Sequence, residues 1–77
     1  MSTRPEDQLV NLISLWLARH VRDDVLRTGI REIGVEGLDA DQREAVQELL
    51  AELERANGRG DLERVARETL EALALGG

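Results

Sequence analysis

A heptad pattern runs through the first half of this chain and constrains its fold more than any other feature. Its residues are spaced alternately three and four apart, and they are Leu9, Leu12, Trp16, Arg19, Asp23, Leu26, Ile30 and Ile33. This spacing is typical of the a and d positions of a coiled-coil helix. It predicts one long amphipathic helix over residues 5–33. The alternative is a helix that breaks at Thr28–Gly29, followed by an extended segment over residues 30–35.

The heptad pattern is nearly symmetric about Val21, and this symmetry predicts self-association. Its two ends are apolar, while Arg19 and Asp23 occupy its middle. Two copies packed antiparallel would place Arg19 of one chain near Asp23 of the other. The first half of the helix is also apolar around more than half of its circumference, which is more surface than one helical hairpin covers. We therefore expect an antiparallel homodimer whose interface consists of the heptad residues.

The second half of the chain shows the signals of two further helices. Asp39 with Gln42, or Asp41 with Glu44, has the spacing of a capping box and predicts the start of a second helix. We expect this helix over residues 40–57, where Asn57–Gly58 ends it.

The third predicted helix covers residues 61–75. The short loop before it makes the second and third helices an antiparallel hairpin. The predicted fold is therefore all-α, a single small domain over residues 1–77 with a long N-terminal helix followed by a helical hairpin. Three helices per chain would dimerise into a six-helix assembly.

Composition supports oligomerisation and argues against several classes of partner. A chain of 77 residues buries a small core, and without cysteine it lacks disulfides and thiolate metal sites to stabilise it. The net charge of -6 argues against binding to a nucleic-acid backbone. The longest apolar stretch, residues 9–18, is too short to cross a bilayer. We expect a soluble cytoplasmic protein without nucleic-acid or membrane partners.

Residues that carry chemistry are sparse. The chain has one histidine and no cysteine, lysine or tyrosine, and none of its hydroxyl side chains has a base at a recognisable spacing. His20, Asp23 and Asp24 place three possible metal ligands on adjacent turns. A polar cluster satisfied by Arg19 and Arg22 is the favoured interpretation. We expect no catalytic site, no cofactor and no metal site, so the protein is predicted not to be an enzyme.

A possible docking site lies between the first and second predicted helices. Ile33, Val35 and Leu38 are apolar, and charged residues and glycines flank them. They would form either the centre of an interface with another protein or a plug at the end of the bundle.

The predicted function is that of a homo-oligomeric protein–protein interaction module, acting as a scaffold, a docking module or a regulatory adaptor. The alternatives are an acidic inhibitor, such as an antitoxin or anti-defence protein that occupies a basic nucleic-acid-binding groove, or a small stabilising subunit of an enzyme encoded nearby. The terminal Gly76–Gly77 is interpreted as a helix stop rather than a conjugation or cleavage signal.

Overall fold

The computed structural model describes residues 4–55 and 58–75, and these residues form four α-helices without a strand. The helices are α1 (Pro5–Leu17), α2 (Asp23–Ile33), α3 (Ala40–Arg55) and α4 (Arg59–Leu75). The prediction of an all-α fold is confirmed. The prediction of three helices is wrong, because the segment expected as one long helix forms both α1 and α2.

The break between α1 and α2 lies at residues 18–22, earlier than either sequence interpretation placed it. The chain turns at Arg19, whose φ of 65° is in the left-handed region, and α2 then begins at Asp23. Gly29, the predicted alternative end, lies inside α2. Folding back at this corner lets the apolar residues of the two halves pack on one another within one chain. No second copy is then needed to bury them.

The start of α3 follows the capping-box prediction at Asp39. The backbone N–H of Gln42 donates to Asp39 Oδ1 at 2.9 Å, and the backbone N–H of Asp39 donates to Gln42 Oε1 at 3.1 Å. Two N–H groups that the helix itself cannot bond are thereby satisfied. The helix continues to Arg55, and residues 56–57, where its end was predicted, lie outside the described part of the chain.

The four helices enclose one apolar core. The main packed pairs are α1 with α2, α2 with α3, α3 with α4, and α4 with α1. Every helix contributes to the buried core, which consists of Leu9, Ile13, Trp16, Leu26, Ile30, Leu38, Val46, Leu49, Leu62, Val65, Ala66 and Leu73. Burial of these residues is the main source of stability, since each large aliphatic side chain contributes roughly 1.5–3 kcal/mol.

A buried glutamine joins the helices at one end of this core. The side-chain amide of Gln42 donates to the carbonyl oxygen of Leu73 at 3.2 Å and to Glu6 Oε2 at 3.3 Å. The start of α3 is therefore tied to the end of α4 and to the start of α1. Among the described residues, no buried side-chain nitrogen or oxygen lacks a hydrogen-bond partner.

Candidate functional site

The heptad residues predicted as a dimer interface lie mostly in the interior of one chain. Leu9, Trp16 and Leu26 have no exposed surface, and Ile30 is 1% exposed. Leu12 and Ile33 are half-buried against the same core. A second folded copy therefore cannot pack on these residues as predicted, because α2, α3 and α4 of the same chain already cover them.

The antiparallel register expected between two copies is found instead within one chain, between α1 and the segment formed by α2 and the connection that follows it. A methyl group placed on Gly37 would lie 2.6 Å from Pro5 Cγ, and one placed on Gly29 would lie 2.5 Å from Leu12 Cδ2. Both contacts join residues related by the symmetry about Val21, to within one residue. The symmetric pattern thus describes how the two halves of the segment pack on each other, and one chain satisfies it.

Trp16 anchors the corner between α1 and α2. Its indole N–H donates to Asp23 Oδ1 at 2.7 Å, which connects the end of α1 to the first residue of α2. The guanidinium of Arg59 lies over the indole ring, with Cζ 4.3 Å from the ring centroid. Arg59 Nη2 also donates to the carbonyl oxygen of Trp16 at 3.0 Å, and Arg59 Nε donates to Glu63 Oε2 at 2.8 Å. The start of α4 is thereby held against the corner.

The corner between α1 and α2 carries two exposed arginines. Arg19 and Arg22 are exposed, and within residues 4–55 and 58–75 neither forms an ion pair or a side-chain hydrogen bond. They line an open surface depression together with Val21, Asp23, Asp24 and Arg59. The predicted pairing of Arg19 and Arg22 with the neighbouring carboxylates is absent there, and Asp23 instead accepts the hydrogen bond from Trp16.

The possible metal ligands do not form a site in the described part of the chain. His20, Asp23 and Asp24 are all exposed, and Asp23 accepts the hydrogen bond from Trp16. Residues 4–55 and 58–75 contain no group of three histidine or carboxylate side chains placed to hold a metal ion.

The predicted docking residues are buried or half-buried in the structure. Leu38 is 5% exposed and belongs to the core, while Ile33 and Val35 are half-buried against it. Leu38 is therefore not accessible to a partner unless the connection between α2 and α3 unfolds. Their packing favours the interpretation of these residues as the end of the bundle over that of an interface.

A different apolar surface lies on the outside of the α1–α2 pair. Leu15 is 39% exposed and Val25 is 45% exposed, and both are large hydrophobic residues. Helical geometry places Leu15 one turn from Leu12, and Val25 one turn from Gly29. Since Leu12 and Gly29 meet where the two helices touch, we infer that Leu15 and Val25 flank this contact on the outside of the pair, and we call the four residues the outer α1–α2 face.

Sequence reasoning missed this face. The signal that pointed towards it was the excess of apolar residues around α1, of which Leu15 is one. Val25 carried no comparable signal, because its apolar neighbours along α2 turn towards the core.

The comparisons with known proteins give no further guidance to function. Neither a protein-family model, nor a curated protein, nor a solved structure matches this chain significantly. Within residues 4–55 and 58–75, none of the helices combines the length and hydrophobicity needed to traverse a lipid bilayer. The terminal Gly76–Gly77 lies outside the described residues.

Proposed function

We propose that this chain is a protein–protein interaction module without catalytic activity, acting as a scaffold, docking module or regulatory adaptor. The observation that carries the proposal is the exposure of Leu15 and Val25 on the outer α1–α2 face. Neighbouring exposed apolar residues with a polar rim are characteristic of protein interfaces. In a chain with so small a core, leaving two large aliphatic side chains in solvent sacrifices stability that burial would provide.

The shape of this face suits a helix. Gly29 lacks a side chain where it meets Leu12, so α1 and α2 approach closely at this face. An amphipathic helix can pack its own apolar residues, spaced three and four apart, on the exposed Leu15 and Val25.

The charges at the corner between α1 and α2 indicate the chemistry of the partner. Arg19 and Arg22 lie at this corner, and neither forms an ion pair with a described residue. Acidic side chains at one end of the partner helix would pair with them. The proposed partner is therefore an amphipathic helix with an apolar face and a cluster of carboxylates at one end.

The alternative of an acidic inhibitor gains no support from the distribution of charge. An inhibitor that occupies a basic groove needs unpaired carboxylates concentrated on one face. Three glutamates of α3 and α4 are instead paired with arginine, as Glu52 with Arg55, Glu54 with Arg31, and Glu63 with Arg59. For the same reason we favour a general binding module over a mimic of nucleic acid.

The predicted homodimer remains part of this proposal, with a changed interface. Because the heptad residues are interior, two copies can associate in two ways. They can pack through an exposed surface such as the outer α1–α2 face, or they can exchange a helix.

The experiment compares two disruptive variants with one matched control. Leu15→Asp and Val25→Asp each place a charge on the outer α1–α2 face, while Ala51→Asp places the same charge on an exposed position of α3. We expect all three variants to retain the circular dichroism spectrum and thermal midpoint of the wild type, since exposed substitutions usually change stability by less than about 0.5 kcal/mol.

The binding of cellular proteins to each variant then tests the proposed site. Proteins that the wild-type chain captures from a cell lysate are quantified by mass spectrometry for each variant. At least one captured protein should be lost with both Leu15→Asp and Val25→Asp and kept with Ala51→Asp. If every captured protein binds all three variants equally, the outer α1–α2 face is not the binding site and the proposal is wrong.

A further inference from the structure

The corner between α1 and α2 is built from residues that do not break helices. Residues 18–22 read Ala-Arg-His-Val-Arg, without glycine or proline. Ala18 and the two arginines are good helix formers. Nothing in the local sequence therefore requires the chain to turn here, and the turn persists because of contacts made elsewhere.

The turn also imposes a local cost on the backbone. Arg19 has a φ of 65°, and among the described residues it is the one non-glycine residue with a positive φ. Side chains with a Cβ are disfavoured in this region because the Cβ approaches the following carbonyl oxygen. In addition, Arg22 caps the N-terminus of α2 without a side-chain hydrogen bond to the helix. A continuous helix through residues 18–22 would relieve both features.

The heptad pattern crosses the corner without interruption. Trp16, Arg19, Asp23 and Leu26 keep the spacing of three and four that a single helix would need. Straightened, the segment would separate α1 from the α2 of its own chain. It would then present α1 to the α2 of a second copy, in the antiparallel register that the closed chain already uses between Leu12 and Gly29 and between Pro5 and Gly37.

We propose that two copies of this chain exchange α1 to form a domain-swapped dimer in which residues 5–33 become one helix. In this dimer α1 of each copy packs against α2 and α4 of the other. The indole of Trp16 would donate to the partner's Asp23, and Arg59 would lie over the partner's Trp16. The contacts of α1 with α2 and α4 are re-formed between copies, those of α3 with α2 and α4 stay within each copy, and the corner is the part that changes.

The swap also adds a contact that the closed chain lacks. The two straightened helices cross near Val21, where Arg19 of one copy lies close to the partner's Asp23. Arg19 has no ion-pair partner among the described residues of the closed chain. The inference is independent of the proposed function, because it concerns how the chain pairs with itself and not what binds the outer α1–α2 face.

Two variants of Arg19 test the proposal as a matched pair. Arg19→Gly and Arg19→Ala both remove the guanidinium. Glycine adopts a positive φ freely and disfavours a helix, whereas alanine disfavours the turn and favours the helix. Forming one dimer straightens residue 19 in two chains, so the preference of alanine over glycine for the helix counts twice. The dissociation constant of the Arg19→Ala dimer is therefore expected to be about a thousandfold lower than that of the Arg19→Gly dimer.

Each variant is refolded at millimolar concentration, and its mass is measured by light scattering after size-exclusion chromatography. The expected result is a dimer for Arg19→Ala and a monomer for Arg19→Gly. If Arg19→Ala is as monomeric as Arg19→Gly, the corner does not control association and the proposal is overturned.

A cross-link distinguishes an exchanged dimer from two closed chains packed side by side. The chain has no cysteine, so Leu12→Cys with Gly29→Cys introduces one thiol pair across α1 and α2. In Arg19→Ala, oxidation should give covalent dimers from the dimer fraction and single chains from the monomer fraction on a non-reducing gel.

A second pair, Pro5→Cys with Gly37→Cys, tests the same exchange at the other end of the helices. Gly37, in the connection after α2, lies against Pro5 at the start of α1, so the exchange can be read from whichever pair oxidises more completely. If the dimer fraction yields single chains although the thiols of that pair are fully oxidised, the disulfide lies within one chain, α1 stays with its own chain and the exchange is disproved.

Discussion

The hydrogen bond between Trp16 and Asp23 should stabilise the corner by an amount that one pair of variants can measure. The indole of Trp16 has no exposed surface, and its N–H donates to Asp23 Oδ1 at 2.7 Å. Asp23→Ala removes the acceptor and leaves a buried N–H without a partner, which costs about 1–3 kcal/mol. It also removes a negative charge from the first turn of α2, which costs a further ~0.3–1 kcal/mol.

Asp24→Ala is the matched control. Asp24 also lies in the first turn of α2, so its removal costs the same helix-dipole contribution. It makes no hydrogen bond to Trp16. The difference between the two variants should therefore equal the cost of the unsatisfied indole. For a chain of this size, each kcal/mol lowers the thermal midpoint by about 4–8 °C. Asp23→Ala should consequently unfold about 4–24 °C below Asp24→Ala.

Chemical unfolding followed by far-ultraviolet circular dichroism gives the free energies directly. Repeating both substitutions in a Trp16→Phe background completes the test, because phenylalanine has no N–H to leave unsatisfied. In that background Asp23→Ala and Asp24→Ala should cost the same. Equal stability of the two variants in the wild-type background would show that the hydrogen bond contributes nothing to the corner, and the argument would fail.

Two further predictions concern the ends of α3 and α4. Asp39→Ala should lower stability by about 1 kcal/mol through loss of the cap on Gln42, whereas Asp41→Ala should have a smaller effect, as judged by urea unfolding. Arg59→Lys should lower the free energy of unfolding by about 1–2 kcal/mol, since lysine cannot both cover the Trp16 ring and donate to the backbone carbonyl oxygen of Trp16. Arg64→Lys, at an exposed position of the same helix, is the control, and an equal loss in thermal midpoint would contradict the role given to Arg59.

Much of the local structure could be predicted because its signals are local. The capping box at Asp39 and Gln42 is a contact between residues three apart, and the apolar stripes of α3 and α4 need no knowledge of their neighbours. The heptad pattern also identified residues that become buried or half-buried. Its apolar members, including Leu9, Leu26 and Ile30, all lie in the core or pack against it.

The corner could not be predicted, because residues 18–22 contain no helix-breaking residue. Whether the chain turns there depends on contacts between residues far apart in sequence, such as Arg59 with the carbonyl oxygen of Trp16. The exposure of Leu15 and Val25 is equally non-local. It depends on which sides of α1 and α2 are covered once the helices have packed, and periodicity along a single helix does not contain that information.

The heptad pattern was ambiguous for a specific reason. An antiparallel seam that is symmetric about Val21 can be satisfied by two copies side by side or by one copy folded at its centre of symmetry, and both arrangements bury the same side chains. The closed chain avoids the translational entropy that association costs, but it bends a segment without helix breakers and holds Arg19 at a φ of 65°. Concentration shifts the balance towards the dimer, while the bend is a fixed cost for each chain. A substitution that changes the conformational preference of residue 19 should therefore select between the two arrangements without altering a single core contact.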